Sequence, residues 1–465
     1  MTIHPPPPPR SGVLSLVGNT PVVEITRLDT GPCRLFVKLE SQNPGGSIKD
    51  RIALSMIEAA ERDGRLSPGA TIIEATAGNT GLGLALVAAQ KGYRLLLVVP
   101  DKMAREKILH LKALGAEVRI TRSDVPKGHP EYYQDLAERL AAGIPGAFYV
   151  NQFANPANPL AHETGTGPEL WEQMGHDVDA VVAGVGSGGT ITGVGRFLRR
   201  VSPKTEMVLA DPEGSVLAHY VATGALVEAG SWKVEGIGED FVPPVADLGL
   251  VRRAYSVSDA ESFRTARDLL VREGILAGSS SGTLVAAALR YCREQSGPRR
   301  VATFICDSGN KYLSKMFNDF WLLDEGFTPR PHTGTVRDLV TRRVDSGGAI
   351  VVSPADRLGT AFSRMRAADV SQLPVLDGDR LVGLIDESDV LRAVAGGGPA
   401  PFDRPVREVM VRDLVTTPAD APVAALQPLF AQDRVAIVVE GGRFLGLATR
   451  VDLINHLRLE TGGTP

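Results

Sequence analysis

Cysteine is scarce in this chain. The three residues of this type among 465, Cys33, Cys292 and Cys306, are odd in number, far apart and in no Cys-x-x-Cys or Cys/His spacing. That pattern argues against a thiolate metal site, and each is expected to be a small apolar packing residue. Charge of one sign is also lacking: a net charge of -4 gives no reason to expect nucleic acid or an anionic membrane as partner. No apolar run approaches the length of a membrane span. The N-terminal Thr2-Ile-His-Pro-Pro-Pro-Pro-Pro-Arg10 has no apolar region of the signal-peptide kind and reads as an extended polyproline tail, so a cytoplasmic location is the expectation.

What is present is ordinary globular composition, 43% hydrophobic and 22% charged, in a chain long enough for two or three domains. From about Pro21 to Leu323, short β-rich runs (Leu35 to Leu39, Thr71 to Glu74, Leu95 to Val99, Ala180 to Ala183) alternate with longer amphipathic helices. Such alternation predicts an α/β fold with parallel sheets wrapped by helices. It breaks around Glu325 to Gly334, a proline-rich stretch poor in apolar residues that reads as a linker. Beyond it the chain repeats itself. Leu381-Val-Gly-Leu-Ile-Asp-Glu-Ser-Asp-Val-Leu391 echoes Phe444-Leu-Gly-Leu-Ala-Thr-Arg-Val-Asp-Leu-Ile454, and Val336-Arg-Asp-Leu-Val echoes Val406-Arg-Glu-Val-Met. Each copy carries a helical segment (Arg357 to Ala367, Ala421 to Gln432) and a strand pair, and the apolar faces of the two copies are expected to pack together. The expected boundaries are a tail at 1–12, the main domain at 13–325, a linker at 326–335 and repeat units at 336–395 and 402–460.

Four segments carry chemistry. In Asn43-Pro-Gly-Gly-Ser-Ile-Lys-Asp-Arg51 the Ser47/Asp50 spacing is that of a capping box, and Ile52, Ala53, Leu54, Met56 and Ile57 follow at helical period. Lys49 then lies in the first helical turn, where the helix dipole lowers an amine pKa modestly, and a neutral amine is what Schiff-base chemistry requires. A solvated lysine beside a cap is the ordinary alternative. The second segment, Glu74-Ala-Thr-Ala-Gly-Asn-Thr-Gly81, turns a strand into a helix with small and hydroxyl residues. Its N–H groups and the hydroxyls of Thr76 and Thr80 suit a carboxylate, and Asn79 can donate to a ring oxygen.

The third, Gly184-Val-Gly-Ser-Gly-Gly-Thr190, follows a buried strand and points N–H groups at an anion. Its glycines also satisfy G-x-G-x-x-G, with Asp211 where a dinucleotide fold places its ribose acid, so a nicotinamide or flavin cofactor is a rival on spacing. The fourth, Gly274-Ile-Leu-Ala-Gly-Ser-Ser-Ser-Gly-Thr283, is expected to end a strand and open a helix, adding a neutral hydroxyl. A dinucleotide leaves the lysine, Ala-Gly-Asn-Thr-Gly and serine segments unexplained. Pyridoxal 5′-phosphate employs all four.

With these motifs in order, the first two-thirds of the chain resembles the β-substituting pyridoxal-phosphate family of cysteine synthases and cystathionine β-synthases, and the repeats resemble the paired adenosyl-binding CBS modules. The resemblance implies a two-lobed fold type II core, like tryptophan synthase β, followed by a tandem CBS (Bateman) module. It implies that Lys49 carries the cofactor, Asn79 bonds its ring oxygen, Gly184, Gly186, Ser187, Gly188, Gly189 and Thr190 hold its phosphate, and Ser280 faces its pyridine nitrogen. Thr76, Ala77, Gly78, Thr80 and Gln152 would bind the substrate carboxylate, with Glu239 at the mouth of the site. The implied activity is condensation of serine with homocysteine by β-replacement. Cysteine synthase chemistry on O-acetylserine and sulfide is the alternative among enzymes, and a nucleotide-sensing module on an inactive core the alternative of another class. Thr449 and Asp452 would bind S-adenosylmethionine or an adenine nucleotide, and a homodimer or higher homo-oligomer is expected.

The chain departs from the family's pattern in three places. The family usually reads Thr-Ser-Gly-Asn-Thr-Gly where Ala77 stands here, which removes one hydroxyl. Animal enzymes carry a tyrosine at the position of Glu239. They also carry an N-terminal haem segment with cysteine and histidine ligands, whereas only His4 precedes the core here, so haem is not expected.

Overall fold

The computed structural model describes residues 10–460 apart from 77, 102, 104, 126–127, 330–332 and 398–399, and the side chains of 105 and 106. The polyproline run, Ala77 and the middle of the expected linker therefore lie outside the described residues. The chain packs as two compact units, 1–317 and 318–465, so the helix Asp319–Asp324 belongs with the C-terminal unit and the division falls earlier than 325.

The first unit holds two sheets. One has the order β1 (Val22–Ile25), β2 (Arg34–Lys38), β10 (Arg300–Phe304), β7 (Ala180–Ala183), β8 (Glu206–Pro212), β9 (Val251–Val257), parallel except for β1. The other is fully parallel, in the order β5 (Glu117–Thr121), β4 (Arg94–Pro100), β3 (Thr71–Ala75), β6 (Phe148–Tyr149). Parallel strands need crossovers and cover on both faces, and the four-stranded sheet has both. Ile72, Leu95 and Leu97 pack with Ile52, Met56 and Leu82 of α1 (Lys49–Arg62) and α2 (Asn79–Lys91), while Ile73, Leu96 and Val98 pack on the other side with Ala137 of α4 (Tyr133–Gly143). The helix α3 (Arg105–Ala113) joins β4 to β5. The motif-bearing loops 76–79 and 184–188 follow the C-terminal ends of parallel strands, the usual place for ligands in such sheets.

The expectation for 274–283 is corrected. A helix Asp259–Asp268 runs on through a π turn, Leu269–Glu273, that stops at Gly274, and no strand precedes the helix Ser279–Arg293; Ala277 makes only an isolated bridge to Ser308.

In the C-terminal unit the repeats form the hairpin β11 (Gln372–Asp377) and β12 (Arg380–Asp386), and the sheet β13 (Thr416–Pro418), β14 (Ala436–Glu440), β15 (Arg443–Ala448). The helix expected over 421–432 is reduced to a 3-10 turn, Val423–Leu426, and one α turn, Gln427–Phe430, because Pro428 supplies no N–H to continue an α ladder from 423. The two copies exchange their opening segments: Val336, Leu339 and Val340 are buried in the core of the second copy, and Val406 and Met410 in that of the first. No helix among the described residues is long and apolar enough to cross a membrane.

Candidate active site

Lys49 opens α1, but the capping box expected there does not form. The N-cap is Ile48, Ser47 Oγ accepts the N–H of Lys49 at 3.2 Å, and the Asp50 carboxylate reaches past Ser47 to the N–H of Gly45 at 2.6 Å. A Cβ on Gly45 would stand 2.5 Å from Asp50 Oδ1, so only glycine lets the loop fold over this carboxylate. From the far side, Arg51 fixes the same turn through Glu40 (2.7 Å) and Glu169 (2.7 Å), both within a buried ion-pair cluster. The turn is thus rigid, yet Lys49 Nζ itself has no hydrogen-bond or ion-pair partner among the described residues. Its pKa is lowered chiefly by burial, against the opposing pull of Cys306, Asp307 and Glu239. Desolvation favours the neutral amine, in the same direction as the helix dipole inferred from sequence.

The glycine loop presents an anion cradle. Gly188 adopts the left-handed conformation at the N-cap of the helix Gly189–Val201, and the five consecutive N–H groups from Gly186 to Thr190 donate to no group among the described residues. Buried N–H groups are rarely left unpaired, so this run calls for an external acceptor carrying negative charge. The loop cannot spread: a Cβ would meet Gly236 O at 2.5 Å from position 186 and Asn158 Oδ1 at 1.8 Å from position 189. Asn158 also donates to Ser187 Oγ at 2.9 Å and to Gln152 O at 2.8 Å. Buried His162 faces Thr190 Oγ1 at 3.3 Å and Thr166 Oγ1 at 2.9 Å, and burial pushes its pKa well below the ordinary value, so a neutral ring supports the cradle.

Thr76, Gly78 and Thr80 form the turn into α2. Thr76 Oγ1 accepts from Gly78 N at 3.2 Å, Thr80 Oγ1 donates to Gln152 Oε1 at 2.7 Å, and the N–H groups of Asn79 and Thr80 stay unpaired among the described residues. Ala77 lies outside them. Ser280 is buried in the first turn of its helix with its hydroxyl on the Cys306 thiol, whose pKa burial pushes up to about 12. Cys306, expected to be mere packing, thus lines the wall beside Lys49. Glu239 lies in a turn between Gly238 and Asp240 where its N–H donates to Ser215 Oγ, and its charge is felt by Lys49, Tyr132 and Tyr133. Asp211 accepts the N–H of Ala218 at 2.8 Å at a helix start, the role of a cap.

Sequence reasoning missed a buried network behind the motifs. Asn79 Nδ2 donates to Asp307 (2.7 Å), Lys311 donates to Asn79 Oδ1 (2.9 Å), Tyr312 donates to Asp307 (2.7 Å), and Lys107 bridges Tyr312 (3.2 Å) and Glu235 (2.6 Å). The available signal was position: Asp307 to Tyr312 follow the C-terminal end of β10.

A family model described as pyridoxal-phosphate dependent enzyme matches residues 13–307, and one described as CBS domain matches 336–396 and 406–459. Cystathionine beta-synthase of Dictyostelium discoideum is 35% identical over 96% of this chain and 92% of its own length, and that of Saccharomyces cerevisiae 34% identical over 96% and 98%. Among solved structures, a hydrogen sulfide-producing enzyme of Fusobacterium nucleatum (36% identity, TM-score 0.61) aligns with 65% of this chain and all of its own. An O-acetylserine dependent cystathionine beta-synthase of Helicobacter pylori (36%, TM-score 0.61) aligns with 66% of this chain and 98% of its own. The residues fit pyridoxal phosphate: a desolvated lysine without a partner among the described residues, a row of five unpaired N–H groups for an anion, and a neutral hydroxyl, Ser280, on the Cys306 thiol that Lys49 feels.

Proposed function

This chain belongs to the cystathionine β-synthases, pyridoxal-phosphate-dependent enzymes of β-replacement, and on that premise we propose that it condenses L-serine with L-homocysteine to L-cystathionine. The observation that carries the site assignment is the row of N–H groups from Gly186 to Thr190, unpaired among the described residues, braced by His162, whose ring also feels the charge of Lys49. Bound pyridoxal phosphate supplies the electron sink for charge developing at the substrate Cα. Lys49 Nζ would hold the cofactor, and as a free amine it would take the proton from the substrate Cα and deliver it to the departing β-hydroxyl. The N–H groups of Asn79 and Thr80, with Thr76, Gly78, Gln152 and the backbone at Ala77, bind the substrate carboxylate. Gly184, Gly186, Ser187, Gly188, Gly189 and Thr190 hold the phosphate.

A neutral hydroxyl would face the pyridine nitrogen and leave it largely unprotonated. Ser280 is the candidate from sequence. Its hydroxyl is engaged by Cys306, whereas Ser308, next to Asp307, accepts among the described residues only the N–H of Asn310 at 3.3 Å and is the second candidate. A protonated ring nitrogen in the ¹⁵N spectrum of labelled cofactor would reject both.

Glu239 favours the amino-acid thiol, since its carboxylate can pair with the homocysteine ammonium, a charge that sulfide lacks. Steady-state rates are expected to be higher for serine with homocysteine than for O-acetylserine with sulfide, and Glu239→Gln is expected to raise the KM for homocysteine about tenfold, the loss of one charge-assisted hydrogen bond. Faster turnover of the second substrate pair would replace this reading with the cysteine synthase one, and an unchanged KM in the variant would remove Glu239 from recognition.

In the C-terminal unit, a cleft of about 760 Å³ is lined by both copies, Asp386 and Glu387 from one and Thr449 and Asp452 from the other. The copies differ in how their aspartates are engaged. Asp389 Oδ2 caps Asp386 N while Oδ1 is paired with Arg392 at 2.6 Å; Asp452 uses Oδ2 alone for Thr449 N and Oγ1, leaving Oδ1 for a ribose hydroxyl. One competent site, built on Thr449 and Asp452, therefore binds S-adenosylmethionine or an adenine nucleotide. Calorimetric titration with S-adenosylmethionine and AMP is expected to give heat that Asp452→Ala removes; silence from both ligands, or binding indifferent to the substitution, would retire the site. The exposed Leu391, Val451 and Ile454 on the two module helices support a homo-oligomer, which a monomer at every concentration in sedimentation would contradict.

A further inference from the structure

Asn79 is gripped from both sides by buried charges. Lys311 Nζ lies 2.9 Å from Oδ1 and Asp307 Oδ2 lies 2.7 Å from Nδ2. Lys311 is 8% exposed and Asp307 fully buried. The same ammonium donates to Gly46 O at 3.2 Å and lies 3.4 Å from Gly45 O, in the loop that leads to Lys49, and the same carboxylate oxygen receives the Tyr312 hydroxyl at 2.7 Å. An ammonium offers only donors and a carboxylate only acceptors. Turning the amide over would set its NH2 against Lys311 and its oxygen against Asp307, so one orientation is enforced by chemistry. Of the two Nδ2 hydrogens, one is spent on Asp307 and one remains.

We propose that Lys311 and Asp307 are positioning residues that lock the Asn79 amide so that it offers a hydrogen-bond donor, never an acceptor, to the cofactor ring oxygen. The inference rests on the reading that Asn79 faces that oxygen. A donor-only neighbour stabilises the ionised oxygen, whereas a flipped amide would present Oδ1 and stabilise the protonated one. Lys311 faces Asp307, Asp50, Lys107 and His110; burial and Lys107 lower its pKa and the two carboxylates oppose them, while its Nζ points at three oxygens, Gly45 O, Gly46 O and Asn79 Oδ1, to which it can only donate. Because it also bonds the carbonyl of Gly46, it ties the ring-oxygen donor to the loop that places Lys49.

The protonation of the ring oxygen is legible in the absorption of the lysine-bound cofactor, visible when the oxygen is ionised and near-ultraviolet when it is protonated. At fixed pH, Lys311→Met is expected to lower the visible to near-ultraviolet ratio of the purified holoenzyme severalfold, and Lys311→Arg, again donor-only, to restore it. Asn79→Leu should shift the ratio as well. A shift in Asn79→Leu with none in Lys311→Met would overturn the positioning role and leave the Asn79 reading intact, whereas no shift in either would reject the Asn79 contact itself. If Lys311→Met fails to fold, wild-type protein with ¹⁵N-labelled asparagine gives the answer: the Asn79 amide proton held by Asp307 is expected to exchange slowly, and fast exchange of both would overturn the lock.

Discussion

Replacing Lys49 with alanine is expected to abolish turnover, by at least about 10⁴-fold, and to erase the visible absorbance of the lysine-bound cofactor while the protein stays folded. The loss follows from two roles in one group, covalent anchor and proton carrier, neither of which a neighbouring side chain can take over. Cys306, the adjacent thiol, has its pKa pushed up to about 12 by burial and is a poor base or nucleophile at neutral pH. Retention of fold follows from what Lys49 does not touch. Its Nζ has no hydrogen-bond partner among the described residues to orphan, and the first turn of α1 is held by Arg51 with Glu40 and Glu169 and by Asp50 with Gly45. Removing a buried amine also relieves its desolvation. The cradle from Gly186 to Thr190 is untouched, so the variant is expected to keep a weaker, noncovalent hold on the cofactor. Absorbance spectra with and without borohydride, alongside a thermal melt, make the measurement. A lysine-linked chromophore surviving in Lys49→Ala would exclude Lys49 as the anchor.

The alternation of strands and helices was legible because parallel strands buried on both faces read as short apolar runs, as in Leu95 to Val99 and Ala180 to Ala183. The motif loops were legible because glycine and hydroxyl residues are concentrated where backbone N–H groups must stay free. Reading failed where local pattern and tertiary context part. Ser47 and Asp50 have capping-box spacing, yet a preceding turn places Gly45 N nearer to the carboxylate than Ser47 N. Ile275 to Gly278 look like a strand end, yet the preceding helix overruns into a π turn and stops only at the left-handed Gly274. The grip on Asn79 was out of reach because Asp307 and Lys311 stand more than two hundred positions away and carry no periodicity. The exchange of opening segments between the repeats was hidden for a related reason: two copies of one pattern have interchangeable apolar positions, and pattern alone cannot say which copy a segment completes.

Glu74 should give the protein a pH-dependent stability that Glu74→Gln removes. This carboxyl, next to the last residue of β3, is fully buried, and neither oxygen has a hydrogen-bond partner among the described residues; the backbone of Asn151 and Gln152 and the Gln152 side chain offset only part of the effect of burial. Burial raises its pKa from 4.5 to about 8. In the folded state it is therefore protonated at neutral pH, while in the unfolded chain it ionises near 4.5. The sign follows directly. Below 4.5 both states hold the proton and folding bears no penalty from this group; as pH rises toward 8 the unfolded state alone releases it, and stability falls; above 8 both are ionised and the penalty is constant. At pH 7 the penalty is about 3 kcal/mol. Glutamine has the same shape and cannot ionise, so it is expected to raise the stability of the catalytic unit by about 1 to 3 kcal/mol at pH 7, with the gain vanishing toward pH 4.5. Activity should survive, because the amide preserves the neutral state next to Gln152 and Thr80. Urea unfolding of both proteins at pH 5 and pH 8 tests this: parallel curves, with the same difference at each pH, would mean that Glu74 is ionised in the folded protein and finds a counter-charge or water within the core.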